Sequence, residues 1–384
     1  MAWKSESITR REFLHVGAFM AAAFVRTIDQ PFGQQNSSAD FDAKKILNYQ
    51  PGMRYRRLGN SDIYLSVISL GGIGLKREIA LYAIDHGVNL IHMSSTYNFG
   101  SSIKVLGNIL KDRRDKVYIA LKDSFYRGSI HDIDKPLKTM NTDYVDFLMF
   151  NRHDASKVDD PRIYEIFEKW RAQGKVRLPG LTTHEDVKAC VAVALQGNFY
   201  RIVQPALNQP NLELLQPELQ QAQQRGIGIM AMKTMKGISN ELQASLLKKI
   251  LLNPAITTVN KGFDRFDKFD LFLKAAQESF GHQEDIELYR YAQSNRTQNC
   301  MMCGHCKRVC PQRIEIPTLL RCKEYYYDQL GETELAMEVY RSIPVDRRFV
   351  SCDRCGNCER ACPNAIPILQ RLDQAFITLE GLMA

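Results

Sequence analysis

The sequence predicts a (β/α)8 barrel followed by a smaller, mostly helical region rich in cysteine. Two observations predict it. Short apolar runs alternate with amphipathic stretches from about Tyr55 to Lys274, and eight of the ten cysteines fall in two bursts within the last 85 residues. A length of 384 residues fits two or three domains. The composition, 45% hydrophobic and 24% charged, excludes a largely disordered or collagen-like chain. No apolar run reaches the roughly 18 residues of a spanning helix, so no transmembrane segment is expected. The net charge of +8 is spread along the chain without a dense basic block, which gives no support for a nucleic-acid partner.

The chain opens on a leader-like stretch. Arg10 and Arg11 form a twin-arginine pair ahead of Phe13 and Leu14, an apolar run from Leu14 to Val25 follows, and Ala21-Ala22-Ala23 offers a small-residue cleavage site. Thr9-Arg10-Arg11-Glu12-Phe13-Leu14 resembles the signals of the twin-arginine (Tat) pathway. That resemblance implies passage through the Tat translocon, cofactor insertion before export and a periplasmic location. His15 inside the apolar run counts against it, and a plain N-terminal helix is the alternative. Residues 1–26 are thus expected as the signal peptide and 27–52 as a polar tether.

Residues 53–284 hold the expected barrel. The candidate strands are Ser66–Leu70, Asn89–Ser94, Val117–Lys122, Asp146–Asn151, Val176–Thr183, Arg201–Leu207, Gly226–Lys233 and Ile256–Gly262. Helical patterns lie between them at Ser101–Arg113, Arg162–Ala172, Glu185–Leu195 and Asn240–Leu251. A doubly wound sheet is the alternative. Gly71-Gly72-Ile73-Gly74 lacks the full spacing of its phosphate loop and an acidic partner.

Several fragments then occur in a telling order. Arg56-Arg57-Leu58-Gly59-Asn60-Ser61-Asp62 reads as a hairpin with a Gly-Asn turn. It is followed by Ala83-Ile84-Asp85-His86-Gly87-Val88-Asn89, Val105-Leu106-Gly107, Asp143-Tyr144-Val145-Asp146-Phe147, Gly174-Lys175-Val176-Arg177 and Gly180-Leu181-Thr182-Thr183-His184. Together these resemble the aldo-keto reductases along nearly the whole middle of the chain. The resemblance implies a carbonyl or alcohol substrate, a nicotinamide hydride carrier, and a catalytic set of Asp, Tyr, Lys and His. The tyrosine passes a proton to the substrate oxygen, and the lysine beside it lowers the tyrosine pKa.

Tyr97 and Lys122 stand at two of those positions, but His92 replaces the Asp and Asn151 replaces the His. A carboxylate would favour the lysine ammonium, and histidine supplies none. Lys122 is therefore expected to lose its proton more easily than in a typical member, and Tyr97 to be a poorer acid. Asn151 donates a hydrogen bond but relays no proton. His153, two residues on, is a partial substitute or an inert loop histidine.

For NADP(H), the resemblance implies contacts from Thr182, Thr183 and Gln204 to the nicotinamide end, and Met232 where many members stack an aromatic ring. Lys261 and Arg265 are the candidates for the adenosine phosphate, with a solvated loop as their alternative.

Residues 285–384 hold Cys300-x2-Cys303-x2-Cys306-x3-Cys310-Pro311 and Cys352-x2-Cys355-x2-Cys358-x3-Cys362-Pro363. This is the bacterial ferredoxin run, twice. The resemblance assigns Cys300, Cys303, Cys306 and Cys362 to one [4Fe–4S] cluster, and Cys352, Cys355, Cys358 and Cys310 to a second. A zinc site prefers separated cysteine pairs, and four thiols within eleven residues suit independent disulfides poorly. The 41 residues between the motifs include helical patterns at Thr318–Gln329 and Glu332–Ser342. They resemble the helical two-cluster domains fused to flavin and quinone oxidoreductases. Cys190 is expected as a small core residue, and Tyr325, Tyr326 and Tyr327 as helix packing.

Two functions remain open on this reading. One is an exported oxidoreductase of a small, possibly sugar-like alcohol or carbonyl compound, exchanging electrons through the clusters with a redox protein partner. The other is a barrel without chemistry that serves as an electron-transfer or docking subunit.

Overall fold

The computed structural model describes residues 42–123 and 132–383. The leader and most of the expected tether lie outside the described residues. Ala43–Ala384 form one compact unit.

A hairpin of β1 (Tyr55–Arg57) and β2 (Tyr64–Ser66) comes first. Eight parallel strands then close a barrel: β3 (Ile68–Gly71), β4 (Leu90–Ser94), β5 (Tyr118–Lys122), β6 (Val145–Asn151), β7 (Val176–Thr183), β8 (Ile202–Pro205), β9 (Gly228–Met232) and β10 (Ile256–Lys261). β10 pairs with both β9 and β3, which completes the ring. Around it run α1 (Arg77–Asp85), α2 (Ser101–Arg113), α3 (Asp134–Met140), α4 (Pro161–Ala172), α5 (Val187–Gln196), α6 (Gln216–Arg225), α7 (Gln243–Leu251) and α8 (Phe266–Ala275). Parallel strands are buried on both faces, so each reads as a continuous apolar run. That is why the strands fall where the sequence predicts them.

Strand positions two apart share a face, and the inward positions change character along the barrel axis. Leu58 and Leu65 from the hairpin region pack with Leu90, Ala120, Phe147, Met149, Ile202 and Met230 in an apolar inner core. One step further toward the C-terminal ends, the same faces carry His92, Lys122, Asn151, Gln204 and Met232. The barrel is closed by hydrocarbon at one end and polar at the other.

Two expected boundaries move. Residues 43–52 are not a free tether, because Asn48 donates to the carbonyl oxygens of Ile84 (2.7 Å) and Val88 (3.1 Å), and the Tyr55 hydroxyl donates back to Asn48 O. The expected boundary at residue 284 falls inside α9 (His282–Ser294), which belongs with the barrel. Lys248 and Lys249 of α7 pair with Glu284 and Asp285 at 2.7 Å each, and Gln209 Nε2 donates to Leu288 O.

Beyond α9 the chain forms α10 (His305–Arg308), α11 (Ile316–Leu320), a nine-residue π-helix (Arg321–Gln329), α12 (Thr333–Ser342), α13 (Asn357–Arg360) and α14 (Ile368–Gly381). The two cysteine motifs repeat in structure with an offset of 352 − 300 = 52 residues. Met302 and Arg354, Gly304 and Gly356, and Arg313 and Ala365 share left-handed φ values between 51° and 75°. Only a demanding loop path holds non-glycine residues there, and here it does so twice. Among the described residues, no helix is long and apolar enough to cross a membrane.

Candidate functional site

The C-terminal region sits on the polar end of the barrel and touches the loops after β3, β4, β7, β8 and β9. Glu332 accepts from Asn98 Nδ2 at 2.7 Å, and Gln329 Nε2 donates to Met235 O at 2.8 Å. Asn208 Nδ2 donates to Cys300 O and Asn211 Nδ2 to Met301 O. Arg308 pairs with Asp186 at 2.5 Å. The deepest tie is Glu185, whose side chain is 2% exposed and pairs with Arg321 at 3.0 Å and Lys307 at 3.6 Å. Its Oε1 also accepts from the Thr318 hydroxyl. These cations hold the Glu185 carboxylate at about 2, against the desolvation that burial alone would impose.

His92, Tyr97 and Lys122 meet beneath this cover. The Lys122 ammonium lies 4.9 Å from the centre of the Tyr97 ring, and the His92 ring stands edge-on to it at 6.2 Å. Burial first, then the nearby Lys122 and Lys233, pushes His92 down to about 3, so the imidazole is neutral. Burial and Arg321 push Lys122 down to about 8, opposed by Asp123 and Glu338. Burial also raises the Tyr97 phenol well above its ordinary value. Burial is the larger cause of the lowered Lys122 value.

A carboxyl group is present after all, and it comes from the C-terminal region. Glu338 lies on α12, which packs on residues 97–100. Thr96 hydrogen-bonds its carboxylate, and the other oxygen, Oε2, is buried without a partner. Burial raises the Glu338 pKa, and Lys122 lowers it. Sequence reading missed Glu338 because 216 residues of chain (338 − 122) separate it from Lys122.

Asn151, Thr182 and Gln204 are lateral neighbours on β6, β7 and β8. Asn151 Oδ1, both polar atoms of Gln204 and His92 Nε2 are buried without a hydrogen-bond partner. Such orphans at a barrel mouth mark a place for a polar ligand or water. Thr182 instead donates to the Met232 sulfur at 3.8 Å, and Thr183 turns back to Glu185 O at 3.0 Å. His153 packs against His184, just beyond β7. Its Nδ1 accepts from the His184 backbone N–H at 3.1 Å, its ring packs on His184 at 5.1 Å, and burial keeps it neutral.

The expected phosphate end is not assembled with these groups. Lys261 lies over the rings of Phe263 and Phe272 at 5.5 and 5.1 Å, and burial pushes it down to about 8. Arg265 is held by both carboxylate oxygens of Asp267 at 2.7 and 2.9 Å on the surface.

The eight motif cysteines sort into two cavities. Cys300, Cys303, Cys306 and Cys362 line one, together with Pro317 and Leu320. Cys310, Cys352, Cys355 and Cys358 line the other. All ten cysteines are free thiols. Backbone N–H groups of Met302, Arg354 and Ile366 donate to the sulfurs of Cys300, Cys352 and Cys362 at 3.3, 3.4 and 3.5 Å. Among the described residues, no three His, Cys, Asp or Glu side chains converge on a single-ion position. Cys190 and Cys322, outside the motifs, are fully buried.

Comparison with known proteins agrees with the barrel. The model of the Aldo/keto reductase family matches residues 75–246. The uncharacterized oxidoreductase YqkF of Bacillus subtilis (strain 168) is 26% identical over 34% of this chain and 49% of its own length. The aldo-keto reductase YhdN of the same organism is 25% identical over 34% of this chain and 44% of its own. The chain thus spans about half the length of these curated relatives or less. Among solved structures, the holo form of aldo-keto reductase AKR11C1 from Bacillus halodurans superposes with a TM-score of 0.52. It covers 62% of this chain and 96% of that one at 19% identity, a likeness of fold. Residues 75–246 are an aldo/keto reductase family domain, set in a (β/α)8 barrel of that type.

Proposed function

We propose that the chain is an iron–sulfur oxidoreductase that acts on a small alcohol or carbonyl compound at the barrel mouth and exchanges electrons through two [4Fe–4S] clusters. The observation that carries this reading is the sorting of eight cysteines into two cavities, each lined by three thiols of one motif and the fourth of the other. A cubane takes three thiolates of one motif and the fourth of the other, whereas a zinc site prefers separated cysteine pairs. When bound, the clusters supply one-electron transfer.

The protein residues handle protons and position. Interconverting an alcohol and a carbonyl moves two electrons and two protons. Tyr97 is the group that gives or takes a proton at the substrate oxygen, with Lys122 as its neighbour and Glu338 as the carboxylate that the lysine faces. Asn151 and Gln204 offer hydrogen bonds to the substrate or to a two-electron mediator. The residues at the ring end fit a nicotinamide amide, and Lys261 and Arg265 do not fit its adenosine phosphate. The leader supports export by the Tat translocon to the periplasm, where a redox protein would complete the circuit.

The route from the first cavity to the mouth is short in sequence. Leu320 lines the cavity, and the π-helix that follows lays Tyr325 and Tyr326 over Lys233. A second reading, a barrel kept only as an electron-transfer or docking body, draws on His92 and Asn151 at two catalytic positions. Anaerobic holoprotein reduced with dithionite separates the two. The oxidoreductase reading expects one or more members of an aldehyde, ketone and sugar panel to reoxidise the clusters, and Tyr97→Phe to abolish this. Clusters that reduce normally yet respond to no organic compound support the second reading.

A further inference from the structure

We propose that the barrel mouth takes a small carboxylated substrate, a hydroxy or oxo acid, whose carboxylate pairs with Lys233. This rests on the reading of the mouth as an oxidoreductase site. Lys233 directly follows β9 and is 8% exposed. Its backbone is left-handed, φ 55°, which a non-glycine residue adopts only where its surroundings demand it. The turn delivers the ammonium to the π-helix, 4.0 and 4.6 Å from the centres of the Tyr325 and Tyr326 rings and 3.4 Å from the Tyr326 hydroxyl.

Several neighbouring cations have carboxylates. Arg321 has Glu185 at 3.0 Å, Arg152 has Asp123 at 3.0 Å, and Lys307 has Glu315 at 2.6 Å and Glu185 at 3.6 Å. Among the described residues Lys233 has no acidic partner. The groups that face it are the cations Arg321, Lys122 and Lys236 and the Cys322 thiol; burial and like charge disfavour its ammonium, and Cys322 alone opposes them. A buried cation with two aromatic faces and one hydroxyl for company, and no carboxylate, is costly to keep. An arriving carboxylate removes that cost. The orphaned atoms of Gln204, Asn151 and His92 then remain for a hydroxyl or carbonyl group on the same small molecule. Their burial suits a compact ligand.

The net negative charge of a cluster at the first cavity is the competing source of compensation, and binding measurements distinguish it. Oxidised holoprotein is titrated by calorimetry with pyruvate, glycolate and D-gluconate, and with the uncharged counterparts dihydroxyacetone, ethylene glycol and D-glucitol. We expect at least one acid to bind, its uncharged counterpart to bind at least about tenfold more weakly, and Lys233→Met to lose about ten- to a hundredfold in affinity for that acid. Lys233→Arg should recover part of the loss. Equal binding of acid and counterpart, no binding of any acid at 10 mM, or acid affinity unchanged in Lys233→Met overturns the proposal. An unchanged affinity with a shifted cluster potential assigns Lys233 to the cluster charge. No turnover is needed, so acid binding without substrate-linked cluster oxidation defeats the oxidoreductase reading alone. Cluster oxidation by uncharged compounds without acid binding defeats this inference alone.

Discussion

Glu185→Gln should loosen the C-terminal region from the barrel. The change keeps the shape of the side chain and a hydrogen-bond acceptor for Thr318, but it removes the charge that compensates Arg321 and Lys307. Glu185 sits at about 2 in the folded state against an ordinary 4.5. That difference corresponds to about 3 kcal/mol of stability at neutral pH. Breaking a buried pair from one side generally costs about 3–5 kcal/mol, the same size. The Glu185 pKa is depressed by folding, so its contribution is complete above pH 4.5 and fades as pH falls toward 2. For a unit of this size the loss should lower Tm by about 4 °C in a thermal melt of the holoprotein at pH 7.5. The double variant Glu185→Gln, Arg321→Met should recover much of it, because the stranded guanidinium is gone. An unchanged Tm for Glu185→Gln, or strictly additive effects in the double variant, refutes the reasoning.

Three further outcomes are expected. The urea midpoint should fall between pH 7.5 and 5.5, because His92, His153 and His184 stay neutral when folded while the unfolded chain takes up protons near pH 6.5; a pH-independent midpoint contradicts this. Glu338→Gln should make Lys122 still easier to deprotonate and move the basic limb of the pH–rate profile to lower pH, and adding His92→Asp should move it back; a limb that stays put in both variants removes Glu338 from the site. Cys310→Ser should perturb the cluster of the second motif and Cys362→Ser that of the first, as read by EPR of the reduced protein; the opposite pattern breaks the crossed assignment.

The strands were legible because burial on both faces leaves apolar runs, and the observed ranges differ from the expected ones by a few residues at most. The cysteine grouping came from the resemblance to the ferredoxin run, because spacing within a motif does not say which set the fourth thiol joins. What lay beyond sequence reading was the joint between the two regions. Glu185 and Arg321 are 136 positions apart, and neither interrupts a local pattern. Tyr325 and Tyr326 read as helix packing, and only the fold reveals that they pack on Lys233. The one available signal was Lys233 itself, a charged residue directly after an apolar barrel strand, at the end where such barrels carry their chemistry. The tether was misjudged at Ala43–Gly52 because its polar side chains, Asn48 above all, serve as caps for the barrel backbone.

The central claim is that two four-cysteine cages hold clusters, one of them against the catalytic end of the barrel. Iron and acid-labile sulfide analysis of anaerobically purified protein tests it most directly. The account predicts about eight irons and eight sulfides per chain. About four irons, or one tightly held zinc with no sulfide, would contradict it.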